Sequence, residues 1–251
     1  MKNKLILLGT TALLATNIFA SQTFVDASKL QELKKMNAVF QDPVLSIQGA
    51  IEKPDSYIVK LVAKTPRGSQ NITAILNKKT SELYIGSAYD KNGKSITYPK
   101  DANIVKDGVA FTYGTGSKEI YIITDPECPY CKKFEVAAQG KLDEYKVHVI
   151  LFPLSFHKKA PAMTEWILQG KDDAQRHERF EAVMLKGSTK YTKLVKDEKK
   201  PYEYSDESKK YIEKAKAAFA ELDARGTPAL YDAKFNSITR DDLFKSSKKD
   251  K

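Results

Sequence analysis

The stretch Tyr121-Ile-Ile-Thr-Asp-Pro-Glu-Cys-Pro-Tyr-Cys-Lys-Lys-Phe-Glu135 decides how the rest of the chain is organised. Ile120 to Ile123 is a short continuous apolar run, the pattern of a strand buried on both faces. Asp125-Pro126 interrupts it. Pro129 then stands where a first helical residue would be, and Lys132 to Ala138 can carry the helix on to Gly140. The spacing puts Cys128 at the helix N-terminus and Cys131 one turn inside. Unpaired helical amides and the helix dipole favour thiolate over thiol at Cys128. Glu127, immediately before it, opposes that effect, and Pro129 and Tyr130 between the cysteines are further tuning positions. A thiolate is the species that attacks disulfides, so the arrangement suits thiol–disulfide exchange with a redox-active Cys128–Cys131 pair.

Other uses of two cysteines fit less well. A structural zinc site takes four Cys or His ligands; the chain has two cysteines and three scattered histidines, His148, His157 and His177. No metal or cofactor is expected. As a purely structural staple the pair would close a very small loop and remove little chain entropy.

At the N-terminus, Lys2 and Lys4 precede an apolar stretch ending Asn17-Ile-Phe-Ala20. A charged start, an apolar middle and a small residue before Ser21 make a signal peptide over 1–20, cleaved after Ala20. The stretch is too short and too rich in Thr and Gly for a membrane-spanning helix. The expected mature protein is exported, in a bacterium periplasmic, where a disulfide can persist. The formal charge is +10, and a leader with two lysines and no acids leaves +8. The lysines are dispersed apart from a cluster over 245–251, with no basic patch interleaved with aromatics, so no nucleic-acid partner is expected.

Residues 21–93 have the pattern of a small α+β domain. Asp26 or Ser28 caps a helix with Leu30, Leu33 and Met36 on one face, which Asp42-Pro43 stops. Four strand-like runs follow, over 45–51, 57–63, 72–76 and 83–85, separated by turn residues at 53–55, 66–68 and 77–80. One helix on a small sheet leaves strand edges to cover, so association through this domain is expected. Residues 94–118 read as a linker ending in the strand that leads onward. A catalytic domain then occupies 119–251. Lys146–Phe152 is a second buried strand, parallel to the first through the intervening helix. A helical insertion over about 158–224 contains segments at 160–168, 172–187 and from Ser205, with Gly226 ending the last helix.

Thr227-Pro228 is the second informative point. A proline opening a strand directly after a helix avoids a ladder donor position and often sits in a cis turn. Set opposite a C-x-x-C at a helix tip, such a turn would lie beside Cys128 and leave neighbouring backbone free to pair with an extended substrate.

Together these residues resemble the thioredoxin fold, and more closely the periplasmic DsbC/DsbG disulfide isomerase family. Thr-Asp-Pro-Glu-Cys-Pro-Tyr-Cys-Lys-Lys-Phe over 124–134 is similar to the DsbG active-site segment. Leu151-Phe-Pro153, the insertion with Trp166, Gly226-Thr-Pro-Ala229 and Tyr84–Gly93 fit the same family. The resemblance implies an α+β protein: a cystatin-like dimerisation domain followed by a thioredoxin-like catalytic domain with a helical insertion. It further implies a V-shaped homodimer, Cys128 as nucleophile, Cys131 as resolving thiol and Thr227-Pro228 as the cis-proline loop. The implied partners are unfolded or misoxidised exported proteins and a membrane redox protein, a DsbD-like reductase or, for an oxidase, a DsbB-like one. Isomerisation or reduction, dithiol oxidation, and a dimeric holdase chaperone are the functions it leaves open. The family's long helical linker and its additional structural cysteine pair have no counterpart in this sequence.

Overall fold

The computed structural model of the chain describes residues 23–65, 68–93, 95–197 and 200–246. The expected signal peptide, Pro66-Arg67 of one expected turn and the end of the lysine cluster lie outside the described residues. Two compact units are present. One runs to Leu61 and resumes over Thr73–Tyr98; the other comprises Val62–Ile72 and the chain from Pro99 onward.

In the first unit, β1 (Thr23–Phe24) precedes α1 (Ala27–Met36), whose first turn is capped by Asp26, its carboxylate accepting from Lys29 N at 2.8 Å. A capping carboxylate satisfies an amide that the helix itself cannot. Leu33 is the buried residue of α1. The strands β2 (Leu45–Glu52), β3 (Ser56–Thr65), β4 (Gly68–Asn77) and β5 (Leu83–Ile85) complete a sheet in the order β1-β2-β3-β4-β5. Ile51, Val59, Leu61, Ala74 and Leu76 are fully buried in it. Phe24, Tyr84 and Ile85, on the two outermost strands, are exposed.

The stretch expected as a linker holds more than a connector. It carries α2 (Ala102–Asp107), capped by Asp101, whose carboxylate accepts from Asn103 N and Ile104 N. Six residues are too few to display a helical period in sequence, yet Val105 is buried against Ala215 and Ala218. From Pro99 the chain belongs to the second unit.

The sheet of that unit comprises β6 (Phe111–Tyr113), β7 (Lys118–Thr124), β8 (Tyr145–Leu151), β9 (Ala229–Asp232) and β10 (Ser237–Ile238). Their order is β10-β9-β7-β8-β6, with β7 and β8 parallel and the other pairs antiparallel. The helices are α3 (Pro129–Ala138), α4 (Ala160–Leu168), α5 (Asp173–Met184), α6 (Asp206–Glu221) and α7 (Arg240–Ser246). The apolar run in β7 is explained by the two cores it separates. Ile120 and Ile122 join Phe134 and Ala138 of α3, Phe180 of α5 and Leu243 of α7. Tyr121 and Ile123 point the other way, to Val105 of α2, to Ala215 and Ala218 of α6 and to Leu222 just after it. His148 of β8 is a packed residue, as its strand position suggested: it stacks on Tyr121 with ring centroids 4.5 Å apart.

Two features of the C-terminal part differ from the sequence reading. α6 stops at Glu221, not at Gly226, because Asp223 takes the left-handed conformation, φ 53°. The amides of Asp223 and Ala224 then turn back onto the carbonyls of Ala220 and Phe219, a closed helix end. Nor is it the last helix. α7 follows, its start held by Thr239 Oγ1 accepting from Asp242 N at 3.1 Å, and its Phe244 ring packs against Phe134.

α3 also buries a carboxyl group. Glu135 is 8% exposed, and burial, with Glu181 nearby, pushes it up to about 8. A carboxyl raised in the folded state adds stability that is whole below its unfolded value and is lost as pH rises through the folded one. Stability therefore falls from the ordinary glutamate range up to pH ~8, at no more than ~1.4 kcal/mol per pH unit for this one group. Glu135→Gln flattens that part of the profile. Urea unfolding of both proteins at pH 5 and pH 8 measures it; an equal loss in the variant contradicts the assignment.

Candidate active site

β7 ends at Thr124 and the chain reaches α3 through Asp125-Pro-Glu127. Cys128 is the N-cap residue of α3, with extended backbone and no side-chain capping bond, and Pro129 is the first helical residue. Both cysteines are free thiols, Cys128 4% exposed and Cys131 fully buried. Tyr130 between them is 70% exposed.

The loop before β9 lies against this turn. Ile123 of β7 pairs with Ala229 of β9, so the sheet itself sets Thr227 and Pro228 beside the dithiol. The Thr227–Pro228 peptide is cis. Cys128 Sγ is 3.7 Å from the Thr227 carbonyl oxygen, to which its S–H donates. The distant sequence positions 128 and 227 therefore meet at one point.

Cys131 has a different setting. Burial pushes its thiol up to about 12, and the neighbouring Cys128 adds to that. One hydrogen bond and two nearby hydroxyls oppose the rise. The Asp125 amide donates to Sγ at 3.4 Å, and the hydroxyls of Thr124 and Thr227 stand against the same sulfur. Both hydroxyls are buried, and among the described residues neither has a hydrogen-bond partner, so both are free to turn to a Cys131 thiolate. Hydrogen bonds to the charged form favour it, so these groups serve a thiolate at Cys131.

The acids of the turn hold it to the loop after β8. Asp125 is completely buried. Its Oδ1 accepts from the amides of Glu127 at 2.8 Å and Cys128 at 3.3 Å. Its Oδ2 accepts from Leu154 N at 2.7 Å and lies 2.8 Å from His157 Nδ1, which carries the hydrogen when the carboxylate is the acceptor. Glu127, expected to act on Cys128, instead turns its carboxylate to α4. Its Oε2 accepts from Lys159 N at 2.6 Å and Ala160 N at 2.8 Å. The positive end of α4 takes up that charge.

Thr124, Asp125 and His157 were not singled out as site residues from sequence. Asp125 looked like a strand breaker, and His157 like one of three isolated histidines. Position 125 next to the C-x-x-C is the only local signal; nothing local links it to position 157. Among the described residues no group of His, Cys, Asp and Glu is arranged to hold a metal ion.

Residues 112–233 match the family of thioredoxin-like domains, and the dithiol of this part of the chain stands at the start of α3. Over 113 residues the chain is 32% identical to the thiol:disulfide interchange protein DsbG of Escherichia coli (strain K12). That alignment takes in 45% of this chain and 42% of DsbG, so the chain spans less than half the length of the curated relative it matches. Among solved structures, Proteus mirabilis ScsC in a transitional conformation is similar at 19% identity and a TM-score of 0.42, over 58% of this chain and 74% of that one. Helicobacter pylori DsbG is similar at 15% identity and a TM-score of 0.37, over 80% and 99% of the two chains.

Removing the Asp125 carboxylate leaves its buried donors without an acceptor, each at a cost of about 1–3 kcal/mol. Asp125→Ala is expected to lose about 3–5 kcal/mol in urea unfolding, against a smaller loss for His157→Ala, which removes one donor. Equal stability of Asp125→Ala and the wild type would contradict the network. Thr124→Val removes one hydroxyl available to a Cys131 thiolate and keeps the branched shape. Release of glutathione from a Cys128–glutathione mixed disulfide should then slow about tenfold, for ~1.4 kcal/mol lost from a hydrogen bond to a charged group. Mass spectrometry of acid-quenched samples gives the rate, and a wild-type rate removes Thr124 from the site.

Proposed function

We propose that the protein is a thiol–disulfide oxidoreductase that isomerises or reduces disulfides in exported proteins, working in the periplasm after loss of a signal peptide. The observation that carries this is the pairing of Cys128, at the N-terminus of α3, with the Thr227 carbonyl at 3.7 Å across the β7–β9 ladder. Cys128 is the nucleophile. Its thiolate attacks one sulfur of a substrate disulfide, forming a Cys128–substrate disulfide and releasing the other substrate sulfur as a thiolate, which takes up a proton. In isomerisation a second substrate thiolate attacks the substrate sulfur of that mixed disulfide and frees Cys128, with no net change in redox state. In reduction the Cys131 thiolate attacks Cys128 Sγ. The Cys128–Cys131 disulfide forms, and the substrate leaves with both electrons.

The setting of Cys131 favours isomerisation. A resolving thiol that is fully buried and pushed up to about 12 is slow to ionise, so the mixed disulfide lasts long enough for a substrate thiol to reach it. Exposed Tyr130, and exposed Phe156 two residues after Leu154 bonds to Asp125, offer apolar surface to an unfolded chain. The first unit supports a homodimer: Phe24, Tyr84 and Ile85 leave apolar residues on both outer strands of its sheet. A membrane reductase is the partner an isomerase needs to keep the pair reduced; a membrane oxidase is the partner of the alternative, a dithiol oxidase.

The discriminating experiment follows a scrambled-disulfide substrate with reduced protein, with Cys131→Ser and with Cys128→Ser/Cys131→Ser. Cys131→Ser is expected to retain isomerisation and lose net reduction, while the double variant loses both. Full biological function and full suppression of aggregation by the double variant would instead identify a holdase. A pair whose disulfide glutathione reduces readily, yet which is found oxidised in cells, would identify an oxidase.

A further inference from the structure

The far end of α3 borders a cleft unconnected with the dithiol chemistry. Glu135 is two turns along the helix from Cys128, roughly 10 Å at the rise of an α-helix. The cleft has a volume of about 270 Å³ and lies between α3, the end of β6, α5 and the loop after α3. Ala138, Leu142 and Phe180 give it apolar walls, while Glu135, Glu181 and Asp143 supply the acids.

Glu135 is 8% exposed and lines the cleft, and among the described residues no group donates a hydrogen bond to its carboxyl. Its oxygens are not sealed in the core and open onto the cleft. The groups facing it do not neutralise it. His177 is stacked on Tyr113, ring centroids 4.0 Å apart and planes within 7°. Burial lowers the His177 imidazole and holds the Tyr113 phenol well above its usual range, so both are neutral near pH 7. Glu181 lies 3.7 Å from His177 Nε2 and 3.6 Å from Lys186 Nζ, and Lys186 is mostly in solvent. Asp143 is exposed. In a chain of formal charge +10, this is a concave acidic site with apolar walls and no Lys or Arg among its lining residues.

We propose that the cleft is a binding site for a primary ammonium group on a short aliphatic stem, with the Glu135 carboxylate as its ion-pair partner. The stem lies on Leu142 and Phe180, and the ammonium donates to Glu135. A metal ion would need a third ligand grouped with these acids, and the described residues provide none. The uncharged carboxyl must ionise to pair with the ligand. With Glu135 raised to about 8, binding at pH 7 releases close to one proton to solvent: carboxylic acid plus alkylammonium gives the ion pair plus H⁺.

The test uses the full chain and n-butylammonium, followed by calorimetry in two buffers of different ionisation enthalpy and by NMR. Saturable binding is expected, with shifts at Leu142 and Phe180, close to one proton released at pH 7, and at least tenfold weaker binding of butan-1-ol. Glu135→Gln should weaken butylammonium at least tenfold, and Glu181→Gln two- to threefold. Equal affinity for butanol, wild-type affinity in Glu135→Gln, or shifts confined to other residues overturns the proposal. If Glu135→Gln fails to fold, the proton count of the wild type decides: a count of zero overturns it. Comparing butylammonium with Nα-acetyl-lysine-N-methylamide separates the sources. Binding of both identifies a lysine side chain of a protein as a possible occupant, and binding of butylammonium alone identifies a free amine.

Discussion

The active-site turn depends on one buried carboxylate. Asp125 has no contact with solvent, and both of its oxygens are committed. Oδ1 takes the amides of Glu127 and Cys128, within the turn; Oδ2 takes Leu154 N and His157, on the loop after β8. A buried carboxylate is expensive unless every lone pair it presents is used. Here its satisfaction requires the turn and the loop to be in one relative position. Glu127 repeats the connection one layer out, at the start of α4. The first turn of α3, and Cys128 with it, is thereby fixed to the second strand of the parallel pair as well as to the first.

The two sulfurs separated by a single helical turn occupy different environments because α3 enters the core at that point. Cys128, at the N-cap, faces the carbonyl of Thr227. Cys131 is wholly inside the first core, among Ile122 and Phe134, and its donors come from the end of β7 and the loop before β9. A thiol so enclosed is held protonated by burial and reactive only through the few groups aimed at it. The asymmetry of the two thiols is thus a consequence of helix position relative to the sheet, not of the residues between the cysteines.

Sequence determined the central βαβ unit and its dithiol. Ile120–Ile123 could be buried on both faces because every side chain in it is apolar or aromatic, and Pro129 marked the first residue of α3. The start of α6 at Ser205, and Asp26 as one of two cap candidates for α1, were likewise legible, since capping is a local contest for amides within one turn. Elements of six or seven residues, α2 and α7, were not, because their periods are too short to stand out and their stability comes from packing on α6 and α3. The end of α6 was misplaced for a related reason: Asp223 adopted a conformation usually left to glycine, and Gly226 drew the boundary beyond it. What only the tertiary structure decided is which residues meet at the sulfurs. Pairing of β7 with β9 brought Thr227 to Cys128, the parallel pairing of β7 with β8 brought His157 to Asp125, and Glu127 was drawn away to α4. Hydrogen bonds between groups 30 to 100 positions apart leave no trace in local spacing, because their geometry exists only once the sheet has assembled.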